Sequence, residues 1–132
     1  MRRHGLLHAE LNRVIAAMGH TDTLVIADVG LPVPPGVRCI DLAVLPGVPS
    51  FMDVFEAVYT ELAVEAFTLA AEIHERNPAM VALADRLSQG GLERSEVSHE
   101  DFKRLCSRAV AVVRTGETAP YANIILHAGV TF

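Results

Sequence analysis

The sequence predicts an α/β fold in which one sheet is covered by helices on both faces. Segments of strand composition alternate along the chain with segments of helical period, and no repeat, low-complexity tract or linker interrupts them. Leu24-Val25-Ile26-Ala27 is an unbroken run of aliphatic residues, as expected of a buried strand. A length of 132 residues allows one continuous core and is too short for a cofactor domain beside a substrate domain.

Leu7, Leu11, Val14, Ile15 and Met18 fall at helical spacing, and Gly19 follows where a left-handed cap belongs, so residues 7–18 are expected to be helical. Thr23 to Ala27 follows as a strand, stopped by Asp28, Val29 and Gly30. Leu31-Pro32-Val33-Pro34-Pro35-Gly36 has too few backbone donors for regular structure and reads as a rigid loop. Val37 to Val44 is expected to be a second strand, closed by Pro46-Gly47, with Asp41 as a strand-edge carboxylate. Ser50 and Asp53 have capping-box spacing ahead of Phe51, Val54, Phe55 and Val58, which places a helix from 51 to about 60.

Residues 62–74 fit two patterns, a helix through Ala63, Ala66, Phe67 and Ala70 or a strand around Leu62, Val64 and Phe67. Asn77-Pro78 caps and starts a helix whose stripe is Met80, Leu83, Ala84 and Leu87, and Gly90-Gly91 stops it. No element is assigned to the following stretch. Ser98 and Asp101 repeat the capping spacing, so His99 lies in the first turn of a short helix. Val110–Val113 and Asn123–Leu126 read as strands separated by a polar loop, with Tyr121 and Asn123 at the entrance of the second.

Composition narrows the function. Eleven basic and sixteen acidic residues leave a net charge of -5, and the basic residues are scattered, so no nucleic-acid partner is expected. The basic start, Met1-Arg2-Arg3-His4, resembles that of a signal peptide, but Glu10, Asn12 and Arg13 interrupt the apolar stretch, and a cytoplasmic protein is expected. No run approaches the roughly 18 to 20 apolar residues that span a bilayer, so no membrane partner is expected either. Cys39 and Cys106 are expected to be reduced, buried thiols. An apolar share of 51 per cent, high for so short a chain, points to surface covered by other subunits.

Phosphate-cradling and nucleophile-elbow motifs are absent, and neither His4/His8 nor His20-x-Asp22 is completed into a metal set. The remaining chemistry is a dispersed group, His20, Asp22, Asp28, His99, Tyr121 and Asn123, with Glu117 and His127 in reserve. Such side chains exchange hydrogen bonds with a polyhydroxylated ligand, and histidine moves a proton near neutral pH. His20 and Asp28 lie at opposite ends of one strand, so they meet in one pocket only if neighbouring subunits bring them together. Asp22 either orients the His20 imidazole or caps the strand start. His127 reads as packed or interfacial, and His4, His8 and His74 as surface residues.

Gly19-His20-Thr21-Asp22-Thr23-Leu24-Val25, Asp28-Val29-Gly30-Leu31-Pro32, Gly47-Val48-Pro49-Ser50-Phe51, Thr115-Gly116-Glu117, Pro120-Tyr121-Ala122-Asn123-Ile124-Ile125-Leu126 and Ala128-Gly129-Val130-Thr131-Phe132 together resemble the ribose pyranase / fucose mutarotase family. The likeness spans nearly the whole chain, and the His-Thr-Asp-Thr segment and Val-Thr-Phe terminus are more similar to its ribose branch. It implies a three-layer α/β/α sandwich around a single central sheet, one domain over 1–132, with 62–74 largely strand. It also implies a ring-based homo-oligomer, a decamer or octamer, with sites at subunit interfaces and neither metal nor organic cofactor. His20 would be the proton donor in opening and re-closing the D-ribose ring. Asp28, His99, Tyr121, Ala122 and Asn123 would bind the sugar, His99 being aligned through Ser98-His99-Glu100-Asp101-Phe102-Lys103. The alternatives are a mutarotase for another monosaccharide such as fucose, or a non-catalytic sugar-binding transport accessory, which needs no proton donor.

Overall fold

The computed structural model covers Met1–Phe132 and contains a mixed six-stranded sheet. Its elements are α1 (Ala9–Ala17), β1 (Thr23–Ala27), β2 (Arg38–Asp41), α2 (Phe51–Tyr59), β3 (Val64–Ala70), α3 (Ile73–Arg76), α4 (Pro78–Gln89), β4 (Glu93–Val97), α5 (His99–Leu105), β5 (Ala111–Arg114) and β6 (Ile124–Ala128). The strand order is β2-β5-β1-β6-β3-β4. Parallel pairs (β2 with β5, β5 with β1, β3 with β4) flank the centre, where β6 runs antiparallel to both β1 and β3.

The pleat sends alternate residues of the central strands into two separate cores. Leu24, Ile26, Phe67, Leu69, Ile124 and Leu126 face α1, α2 and α4, which supply Leu11, Val14, Phe51, Phe55, Met80 and Leu83. Val25, Ala27, Val112 and Ile125 face α5 and the turn behind it, meeting Phe102, Cys106, Ala109 and Leu31. Helices therefore cover both faces, as the sequence predicts. Each fully buried large aliphatic or aromatic side chain contributes about 1.5–3 kcal/mol of transfer free energy, so the larger layer dominates the stability. Because α5 is short, it leaves part of its face open, and a cleft of about 370 Å³ there is bounded by Thr21, Glu65, Thr68, Ser95 and His127 among others.

Local chemistry explains the helix ends. Ser50 Oγ accepts from Asp53 N, Asn77 Oδ1 from Met80 N, and Ser98 Oγ from Asp101 N, each at 3.1 Å. The first helix is shorter than the expected 7–18 because His8 acts as its cap, Nδ1 accepting from Leu11 N at 3.2 Å, while Leu7 stays exposed.

The second strand spans four residues rather than 37–44. Leu42 still donates to Arg114 O, but the chain then folds back through Leu45 and Val48 into a tight hairpin. Residues 62–74 resolve into β3 followed by the one-turn α3, in line with the family likeness.

One strand carries no signal in the sequence, and one expectation needs correction. Glu93–Val97 is a strand, β4, which carries no apolar alternation because it is an edge strand. Its inward residue Arg94 pairs with Asp85 of α4 at 2.8 Å instead of entering the core. Cys39 is exposed, not buried: β2 is the opposite edge strand and only its Ile40 reaches the core. Cys106 is fully buried, and desolvation pushes its thiol up to about 11.

The thiols should therefore be resolved by a reagent such as iodoacetamide. In the native protein Cys39 is expected to be alkylated while Cys106 reacts only after denaturation. Peptide mapping after brief labelling at pH 8 checks this, and early modification of Cys106 would contradict the packing under α5.

Candidate functional site

At the carboxyl end of β1, Asp28 and Asn123 hold each other reciprocally although 95 residues separate them. Asp28 N donates to Asn123 Oδ1 at 2.8 Å, and Asn123 Nδ2 donates to Asp28 Oδ2 at 3.0 Å. The other carboxylate oxygen, Oδ1, accepts from Gly30 N and Leu31 N, both at 2.9 Å. Asp28 thus sits in an Asx turn that closes the strand, and the fully buried Asn123 locks it to the start of β6.

Neighbouring residues brace this corner. Thr115, also fully buried, donates from Oγ1 to Ala27 O at 2.7 Å. Arg114 reaches from Asp41 to Val29 O, which its Nε contacts at 3.1 Å. The Asp41 carboxyl is held below its ordinary range, first by the Ala43 backbone N–H and also by this guanidinium.

Tyr121 enters from the loop ahead of β6 with a left-handed backbone, φ 58°. Asn77, just ahead of α4, fixes the loop, its Nδ2 donating to Pro120 O at 2.8 Å while its oxygen caps the helix. Ala122 is buried in the larger core and pegs the same loop. The Tyr121 ring meets His99 edge-on, centroids 5.1 Å apart, and the imidazole stacks on Phe102 at 6.5 Å.

His99 is placed through its backbone. Glu72, between β3 and α3, accepts from His99 N with both carboxylate oxygens at 2.9 and 3.1 Å, a carboxylate favoured at the positive end of α5. The imidazole Nδ1 is buried without a hydrogen-bond partner. Asp28, His99, Tyr121, Ala122 and Asn123 therefore gather at one end of the sheet. They combine a fixed carboxylate, an imidazole and a phenol with the polar character suited to several hydroxyl groups.

His20 lies at the other end. It occupies the turn before β1, where the exposed imidazole contacts Glu65 at the start of β3, Nε2 to Oε2 at 3.0 Å. The five residues of β1, at roughly 3.3 Å each, separate that turn from the Asp28 corner. Asp22 caps its own turn, Oδ2 accepting from Gly19 N at 2.9 Å, so the capping reading holds within the chain.

Thr21 has φ 73° and is, with Tyr121, one of only two non-glycine residues with positive φ. Each adjoins a candidate residue or is one. Such conformations cost on the order of 1–3 kcal/mol and persist where the surroundings impose them.

The reserve residues have other occupations. Glu117 is consumed by backbone: one oxygen accepts from Phe51 N at 3.2 Å, the other from Thr118 N and Ala119 N at 3.1 and 3.2 Å. His127 is half-buried with Nε2 3.0 Å from Thr68 Oγ1, and burial lowers its pKa. No group of three or more His, Cys, Asp or Glu side chains is arranged to hold a metal ion.

Sequence reasoning missed Glu65, Glu72, Asn77 as a loop anchor and Thr115. Glu65 and Glu72 are ordinary charged residues in sequence, and only the pairing of β3 with β6 and β4 brings them to the two histidines. Asn77 carried a visible signal, but for helix capping alone.

Removing the Asn123 amide leaves the Asp28 N–H and one carboxylate oxygen without their protein partner. Asn123→Ala is expected to destabilise the fold by about 1–3 kcal/mol in urea unfolding. A midpoint equal to that of the unchanged protein would show that the corner is held otherwise.

The family model described as the RbsD / FucU transport protein family matches residues 1–131. The chain is 55% identical over 132 residues, covering all of both chains, to a D-ribose pyranase of Symbiobacterium thermophilum. Its structure superposes on that of Bacillus subtilis RbsD complexed with D-ribose with a TM-score of 0.94, at 48% identity and full coverage of both chains. The fucose mutarotase of Streptococcus pneumoniae, in complex with L-fucose, shares the fold, with a TM-score of 0.80 at 22% identity, covering 99% of this chain and 100% of its own.

Proposed function

This chain belongs to the RbsD/FucU family, and from that premise we propose that it is a D-ribose pyranase, an isomerase that interconverts the six- and five-membered ring forms of ribose. The observation that carries the reading is the full-length match, 48% identical with a TM-score of 0.94, to a relative complexed with D-ribose. The fucose branch shares no more than the fold at its level of identity, which favours ribose over fucose.

Ring interconversion breaks and remakes a hemiacetal. The bond from the anomeric carbon to the ring oxygen opens as that oxygen gains a proton and the anomeric hydroxyl loses one, giving the open-chain aldehyde. A different hydroxyl then attacks the carbonyl carbon and closes the other ring. His20 serves as the proton donor at the ring oxygen. Asp28, His99, Tyr121 and Asn123, with the backbone at Ala122, hold the sugar hydroxyls and keep the open chain bent for re-closure. A positioned acid or base contributes about 10²–10⁴ in rate, enough for a reaction that already proceeds in water. This chemistry calls for no cofactor.

Since His20 and the Asp28 corner stand at opposite ends of one rigid sheet, a working site takes His20 from one copy and the sugar-holding corner from its neighbour. The assembly that meets this requirement is a ring-based homo-oligomer, a decamer or octamer. Its apolar contact surface includes Val44, Leu45, Val48 and Met52, which are exposed in the single chain. The whole chain acts as one domain. Its place of work in this reading is the cytoplasm, and no helix of the chain is long and apolar enough to cross a membrane.

Magnetization-transfer NMR on ribose measures the exchange directly. The unchanged protein is expected to accelerate it, and His20→Ala and Asn123→Ala each to lose that acceleration. Co-assembling the two variants should restore activity to about a quarter of the sites, since random pairing of subunits places an intact His20 beside an intact corner that often. Acceleration by the His20→Ala protein would overturn the donor assignment. No acceleration by the unchanged protein would favour a non-catalytic sugar-binding role.

A further inference from the structure

The His20 turn is fastened almost entirely through backbone. Thr21 N donates to Ala128 O and Ala128 N to Asp22 O, each at 2.9 Å, while the Asp22 carboxylate is spent on Gly19 N. The imidazole has one hydrogen-bond partner in the chain, the Glu65 carboxylate, with Nε2 at 3.1 and 3.0 Å from its two oxygens.

Glu65 reaches that position through a backbone irregularity. In the β3–β6 ladder Val64 pairs with Ala128 and Ala66 with His127, so Glu65 is the extra residue of a bulge. A bulge of this kind re-aims the side chain it carries. On the other side Gly129 makes the room. A Cβ there would come within 3.1 Å of Glu65 Cβ and 3.5 Å of its Oε2. His127, the nearest other titratable side chain on β6, is occupied with Thr68, and Asp22 with its own turn.

We propose that Glu65 is a positioning residue for His20, accepting Nε2–H so that Nδ1 is the atom presented to the sugar. The inference rests on the reading of His20 as proton donor. In the opening step the imidazolium gives its Nδ1 proton to the ring oxygen, which receives the electron pair of the breaking bond to the anomeric carbon. The ring keeps Nε2–H on Glu65, and the carboxylate stays ionised. The anomeric hydroxyl proton leaves to solvent as the carbonyl forms.

The assembled protein tests this through four variants and a pair of spectra. Glu65→Ala is expected to lower kcat for ribose ring exchange about ten- to a hundredfold with KM within about twofold, the cost of a misplaced catalytic group. Glu65→Gln, which retains an acceptor oxygen of the same reach, should recover most of the loss. Gly129→Ala should lower kcat in the same sense by displacing the carboxylate.

Long-range ¹H–¹⁵N spectra should report the Nε2–H tautomer of neutral His20 in the unchanged protein and a mixture in Glu65→Ala. A Glu65→Ala protein with unchanged kcat overturns the positioning role alone, since His20→Ala would still abolish exchange. A His20→Ala protein with unchanged rate overturns the donor reading and this inference with it.

Discussion

Strands β1 and β6 run antiparallel through the middle of the sheet, with Thr23 opposite His127 and Ile26 opposite Ile124. That pairing brings the two ends of the chemistry into one frame. Following β6 backwards from Ile124 gives Asn123, locked onto Asp28, and following it forwards gives Ala128, whose backbone ties down the turn that carries His20. Strand β3, antiparallel to β6 on its other side, adds Glu65 at the His20 end and leads into Glu72 at the His99 end. A slip of one residue in this register would turn every core residue of β6 to the wrong face. The buried layers on both sides therefore hold the site geometry as firmly as they hold the fold.

Rigidity has a consequence for how the molecule can act. Leu24, Ile26, Ile124 and Leu126 are fully buried, so the central strands cannot bend to bring His20 toward Asp28. On the proposed reading, an acid on one rim and a sugar cradle on the other call for a second copy; the imidazole beside Glu65 is exposed at its rim. Thr21 and Tyr121 hold left-handed backbone at these two rims. Such strain is tolerable only because the surrounding hydrogen bonds and cores over-determine both turns.

Much of the fold was legible because the helices announce themselves through local chemistry. Ser50, Asn77 and Ser98 cap where their spacing says they should, and Thr23–Ala27 is the strand its aliphatic run implies. What could not be read were features that owe their nature to position in the sheet. Strand β4 and Cys39 lie on edges, where one-sided burial removes the pattern that marks a strand or a hidden thiol. The Asp28–Asn123 lock joins residues 95 apart, and neither side chain signals the other locally. His20, Asp28, His99, Tyr121 and Asn123 stand out in the sequence only as polar residues near element ends, and the family likeness rather than periodicity implies their roles. Glu65 and Glu72 had no signal at all, since a glutamate in a strand or a turn is ordinary until the tertiary fold places it against a histidine.

The central claim is that an imidazole from one subunit meets a sugar held by the next. A crystal structure of the assembled protein with ribose bound tests it most directly. The expected result places the sugar hydroxyls against Asp28, His99, Tyr121 and Asn123 of one subunit, with the ring oxygen within hydrogen-bond reach of His20 from a neighbour. A sugar bound at that corner with no neighbouring imidazole near its ring oxygen would contradict the account.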